Sequence, residues 1–75
     1  MTPYANRGGD SGVAAFEVGA DFIVVQFTTG ARYLYNHAAT GAANIARMKE
    51  LALDGHGLNE FINRHVRKLY ARRLV

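Results

Sequence analysis

The chain has 75 residues, nine basic and six acidic side chains for a formal charge of +3, and 49% hydrophobic residues. That is room for one domain with one modest core, burying only roughly 60% of the surface its unfolded form exposes, and the apolar content argues against disorder. With no cysteine there is no disulfide or thiolate chemistry, no run approaches membrane-spanning length, and the opening MTPYANRGGD has no apolar stretch of the signal-peptide kind; a reducing, cytoplasmic setting is expected.

Residues 1–12 are rich in Gly, Asn, Asp and Ser and read as a flexible N-terminal tail, leaving residues 13–75 as the single domain. VAAFEV at 13–18 reads as a weak strand. After the turn at Gly19, Ala20 and Asp21, FIVVQFT at 22–28 is the strongest strand, rich in β-branched and aromatic residues. ARYLYN at 31–36 is a third. Tyr33 and Tyr35, two apart, share one face, and the turn between the second and third strands decides which. A two-residue loop at Thr29-Gly30 would place the tyrosines with Phe22, Val24 and Gln26. A three-residue loop pairs Val25 with Tyr33 and Ile23 with Tyr35, so that Ile23, Val25, Phe27, Tyr33 and Tyr35 lie together. Gly30 suits the left-handed last position of the longer loop. Thr29, being β-branched, suits neither central position of a type I′ turn. The longer loop is therefore expected, with the tyrosines toward the core.

Two helices follow. The first spans about 42–53, with Ile45, Met48, Leu51 and Ala52 along one side and Gly55 as its C-cap. The second spans about 58–73, with Leu58, Phe61, Ile62, Val66, Leu69 and Tyr70 in a three-and-four pattern and Glu60 placed four residues before Arg64 for an ion pair. The expected fold is α+β: a three-stranded antiparallel meander covered on one face by two helices. Its core is expected to contain Phe16, Ile23, Val25, Phe27, Tyr33, Tyr35, Ile45, Met48, Phe61, Ile62, Val66 and Leu69.

The order of an apolar strand ending in Phe27, a Gly turn, Tyr33-Leu34-Tyr35 and then FINRHVRKLY resembles the KTSC family. This is a small domain named for the C-termini of some lysyl-tRNA synthetases and also found as a stand-alone bacterial protein. The resemblance covers about residues 13–72. Its most specific parts are the Tyr-x-Tyr strand and Phe61, Asn63, Val66, Arg67 and Tyr70. The chain departs from the family pattern in two places: NHAATG lacks a proline, and the small-residue segment before Phe61, LDGHGLNE, has its glycine displaced. The resemblance implies a role in RNA binding.

The charge itself is uneven. Residues 1–55 carry four basic and five acidic side chains, and residues 56–75 carry five basic and one acidic. On a helix, Arg64, Lys68 and Arg72 form a stripe at four-residue spacing. Such a stripe is either a solvated face or a set of phosphate contacts, Arg67 included. Arg32 would add one more from the tyrosine strand. Tyr33 and Tyr35 are either core side chains or a platform for bases, with buried rings and hydroxyls at the rim as an intermediate case. Asn63, beside the apolar stripe, either touches a ligand or bonds loop backbone. His37, His56 and His65 fall in three segments without the spacing of a metal site. Ser11 stands alone, no Gly-rich phosphate loop follows a strand, and Glu50 and Asp54 are neighbours on a wet helix face. No catalytic group, metal or cofactor is therefore expected. The function expected is binding: of nucleic acid, RNA foremost, through the basic C-terminal helix. The alternative is a protein partner or a second copy on the sheet face bearing Phe22, Val24 and Leu34.

Overall fold

The computed structural model describes residues 1–9 and 11–75. Along the chain these form β1 (Thr2–Pro3), β2 (Val13–Val18), β3 (Phe22–Phe27), β4 (Arg32–Asn36), α1 (His37–Thr40), α2 (Ala42–Asp54), α3 (Leu58–Phe61), a π-helical segment (Ile62–Val66) and β5 (Arg72–Arg73). The strands make one antiparallel sheet in the order β1-β2-β3-β4-β5. The expected meander is its centre, and the structure adds a strand at each edge.

The hairpin follows the longer-loop register. Val25 pairs with Tyr33 and Ile23 with Tyr35, and the Phe27 N–H donates to the Ala31 carbonyl at 2.8 Å. Gly30 closes the loop at φ +94°, a conformation that a β-carbon would oppose. In β2 the register shifts between Val13 and Ala15. This bulge lets Val13 and Phe16, three apart, both turn inward, where both are buried.

The core lies between the sheet and the helices. Tyr4, Val13, Phe16, Ile23, Val25, Tyr35, Ile45, Met48, Ala52, Leu58, Ile62 and Val66 form it, with Phe27, Tyr33, Leu51 and Phe61 packed against its margin. Helix α2 ends as expected at Gly55, in the left-handed conformation with its N–H on the Leu51 carbonyl.

Three stretches depart from the sequence reading. Part of the stretch read as a tail is built into the fold: Thr2 pairs with Phe16 and Pro3 with Ala15, and the Tyr4 ring is in the core. Asp10 lies outside the described residues. Between β4 and α2 the chain makes the extra helical turn α1, whose first turn is capped by Asn36: its side-chain oxygen accepts from the Ala39 N–H at 2.8 Å.

The largest departure concerns the second helix, which does not run to residue 73. It passes from α3 into the π-helical segment and stops after Val66. Two tertiary interactions draw the chain off the helix. The Thr40 hydroxyl donates to the Leu69 carbonyl at 2.6 Å. Beyond it the Ala71 N–H donates to the Leu34 carbonyl and the Leu74 N–H to the Arg32 carbonyl, both at 2.7 Å. Pairing along the open edge of β4 replaces continuation of the helix. Leu69, expected in the core, is 42% exposed.

The far face of the sheet offers less apolar surface than expected. Val24 is only 9% exposed, and Phe22 and Leu34 are half-buried. The Phe22 ring folds back over Gly19, where a β-carbon would stand 1.9 Å from a ring carbon.

Candidate functional site

The hairpin end of β3–β4 and the π-helical segment do not close on one another. Between them is a cleft of about 350 Å³. Its lining includes Phe27, Tyr33, Tyr35, Asn63, Arg67 and Tyr70, with Ile62 among the apolar residues beneath. The hairpin register sets Tyr33 and Tyr35 on this side of the sheet. The helix supplies Asn63 and Arg67, four apart and therefore on one side of it. Both are exposed. Tyr70 arrives on the segment that leads from the helix to β5.

The aromatic rings are arranged edge to face. Tyr33 meets Tyr70 with ring centroids 4.8 Å apart at 65°, and Phe27 at 5.8 Å and 80°. Such pairs are favoured by the ring quadrupole. The guanidinium of Arg73 stands 5.6 Å from the Tyr33 ring centroid, within cation–π range. Tyr33 is half-buried and Tyr70 is 39% exposed, so both keep ring surface open to the cleft.

Tyr35 is different. Its residue is 2% exposed, and burial, with smaller contributions from Tyr33 and Tyr70, pushes its phenol pKa from 10.0 up to about 12. The shift extends the range over which the hydroxyl stays protonated from about pH 10 toward pH 12.

The basic side chains divide into groups. Arg67 lines the cleft. Arg73 pairs across from Tyr33 and so shares its face, whereas Arg72 pairs with Leu34 and Arg32 with Gln26, placing these two on the opposite face of the sheet. Arg64 bonds Glu60 at 3.3 Å and lines a separate shallow depression with Arg47, Asp54, Glu60 and His65, where acids offset bases. Lys68 is exposed in the turn after the π-helical segment. The expected stripe of Arg64, Lys68 and Arg72 does not exist, because the helix ends before Lys68 and Arg72 belongs to a strand. Of the seven residues singled out from the sequence, the cleft unites Tyr33, Tyr35 and Arg67.

No family model, curated protein or solved structure matches the chain. The cleft must be read from its own chemistry.

Sequence reasoning does not single out Tyr70 and Phe27 as site residues, and it leaves Asn63 open between a ligand contact and a bond to loop backbone. Among the described residues the Asn63 amide has no hydrogen-bond partner in the protein; it projects at the cleft rim. Its four-residue spacing from Arg67 was the available signal. Among the described residues no three His, Asp or Glu side chains gather as a metal site, and no helix is long and apolar enough to cross a membrane.

Proposed function

We propose that the protein is a non-enzymatic binding domain for single-stranded nucleic acid, RNA foremost, and that it binds at the tyrosine-lined cleft. The observation that carries this reading is the union, in one cleft, of open tyrosine ring surface with Arg67 on the segment that holds the chain's positive balance. Rings offer stacking surface to bases of any sequence, and a flanking arginine offers a phosphate contact. The resemblance to the KTSC family, a domain appended to a tRNA enzyme, supports the same reading. Arg67, Lys68 and Arg73 serve as positioning contacts. Arg32 and Arg72, on the far face, reach only a strand that wraps the β4–β5 edge.

The test is a titration of the protein with labelled single-stranded RNA, tRNA and duplex DNA at two salt concentrations. Single strands are expected to bind tighter than duplex, with a log–log salt slope near the number of phosphates engaged. Absence of binding at low salt refutes the reading. The rival is a protein partner or second copy on the far sheet face. It is weakened by the shielding of Val24 and the folding of Phe22 over Gly19. Concentration-dependent light scattering distinguishes it.

A further inference from the structure

Tyr35 places a hydroxyl where the fold does not use it. The residue is 2% exposed, yet among the described residues its oxygen has no hydrogen-bond partner in the protein. Every fully buried side-chain N or O atom among those residues has a partner. The Tyr35 oxygen is therefore not sealed in the core; it opens on the cleft that its ring helps to floor. The other core tyrosine shows the contrast. Tyr4 is 6% exposed, and its hydroxyl accepts from the Leu58 N–H at 3.2 Å. The Tyr35 hydroxyl is thus a donor and acceptor that the fold leaves to whatever enters the cleft.

We propose that the cleft takes a single unstacked nucleobase, with the Tyr35 hydroxyl as the hydrogen-bonding group at its floor that discriminates among bases. This inference rests on the nucleic-acid reading above and adds how the ligand is seated. A cleft of about 350 Å³ lies at the lower end of the small-molecule range, which suits one base better than a stack. Tyr33 and Tyr70 supply ring surface beside it. Arg67 and Asn63 stand four residues apart at the rim, one suited to the phosphate and the other to the base edge. The Tyr35 hydroxyl donates to a ring nitrogen or carbonyl of the base, taking the place of solvent.

Tyr35→Phe removes that oxygen and keeps the ring. Binding of oligo(A), oligo(C) and oligo(U) RNA to the full chain is followed by fluorescence anisotropy across a range of salt. The best-bound sequence is expected to lose about tenfold in affinity. The spread among sequences narrows, and the salt slope is unchanged because no phosphate contact is lost. In the unmodified protein, AMP, CMP, GMP and UMP are added singly, and the NMR signals of the Tyr35 ring and the Asn63 amide are expected to shift with at least one. If the unmodified protein binds RNA while Tyr35→Phe binds with the same affinities and preferences, the base-seating inference is overturned and the binding function stands. Mononucleotides that leave both signals unmoved while RNA binds have the same meaning. If no RNA binds the unmodified protein at low salt, both readings fall.

Discussion

Tyr4→Phe removes one oxygen atom and tests whether the N-terminal segment is part of the folded unit. Helix α3 begins after Gly57, which has no side chain with which to cap it. The first N–H groups of any helix lack partners within it. Here the Tyr4 hydroxyl, 54 positions away in the chain, accepts from the Leu58 N–H at 3.2 Å in a buried setting. Phenylalanine keeps the ring in the core but leaves that N–H buried and unpaired, at a cost of about 1–3 kcal/mol. A domain of this length has a total stability on the order of 4–11 kcal/mol. The loss is thus a sizeable fraction of the whole, and each kcal/mol lowers Tm by about 4–8 °C at this size. Tyr35→Phe is the matched control, because its oxygen has no protein partner and its removal relieves a partly desolvated hydroxyl. Its midpoint should equal or slightly exceed that of the unmodified protein. Thermal and urea unfolding followed by circular dichroism measure both. Equal destabilisation by the two substitutions, or an unchanged midpoint for Tyr4→Phe, would refute the reasoning.

Burial raises the Tyr35 pKa from 10.0 to about 12, so the folded protein holds this proton more tightly than the unfolded chain. The associated stability is intact below pH 10 and is lost as pH climbs toward 12; the urea midpoint should fall less over that window in Tyr35→Phe. Gly55→Ala forces a β-carbon into a left-handed conformation at φ +77° and to 2.5 Å from the Ala5 β-carbon. A loss of about 1–2 kcal/mol from the backbone alone should be read in urea, with the close approach adding to it. Arg67→Glu should weaken RNA binding more than Arg64→Glu, because Arg67 lines the cleft whereas Arg64 is paired with Glu60; anisotropy at matched salt compares them. Met48→Ala, at a fully buried position, should cost about 2–5 kcal/mol, whereas Leu69→Ser, at a position 42% exposed, should move the urea midpoint little.

The centre of the fold was legible because local rules govern it. Gly30 dictated the hairpin loop, the loop dictated the register, and the register dictated that Tyr33 and Tyr35 face inward. Gly55 marked the end of α2 in the same way. The edges and the last helix were not legible, because remote partners decide them. The pattern from Leu58 to Tyr70 is helical by every local measure, yet the Thr40 hydroxyl and the open edge of β4 redirect it. Tyr4 sits near Gly, Asn and Ser residues that suggest a tail, and its place comes from remote partners: the core around its ring, the Ala14 carbonyl that accepts its N–H, and the Leu58 N–H that its hydroxyl accepts. Of the readings open for the two tyrosines, the intermediate one, with a buried ring and its hydroxyl at the rim, describes Tyr35 best. Tyr35 has a core ring with its oxygen at a cleft, and Tyr33 is a half-buried ring shared with Tyr70. Tyr70 joins the site from the segment beyond the end of the helix.

Both margins of the sheet are only two residues long, Thr2–Pro3 at one side and Arg72–Arg73 at the other. A sheet edge is a template on which a neighbouring chain can add a strand, and length, flatness and lack of charge make it a dangerous one. Here one margin carries a proline, which has no N–H to offer, and the other carries two adjacent cations that repel their counterparts on a second copy. The longer, β-branched strand β3, the segment most prone to cross-β stacking, is enclosed two strands deep on either side. The same residues that complete the sheet thereby protect it from polymerising, and concentrated solutions of the folded protein should resist fibril formation for as long as those margins stay paired.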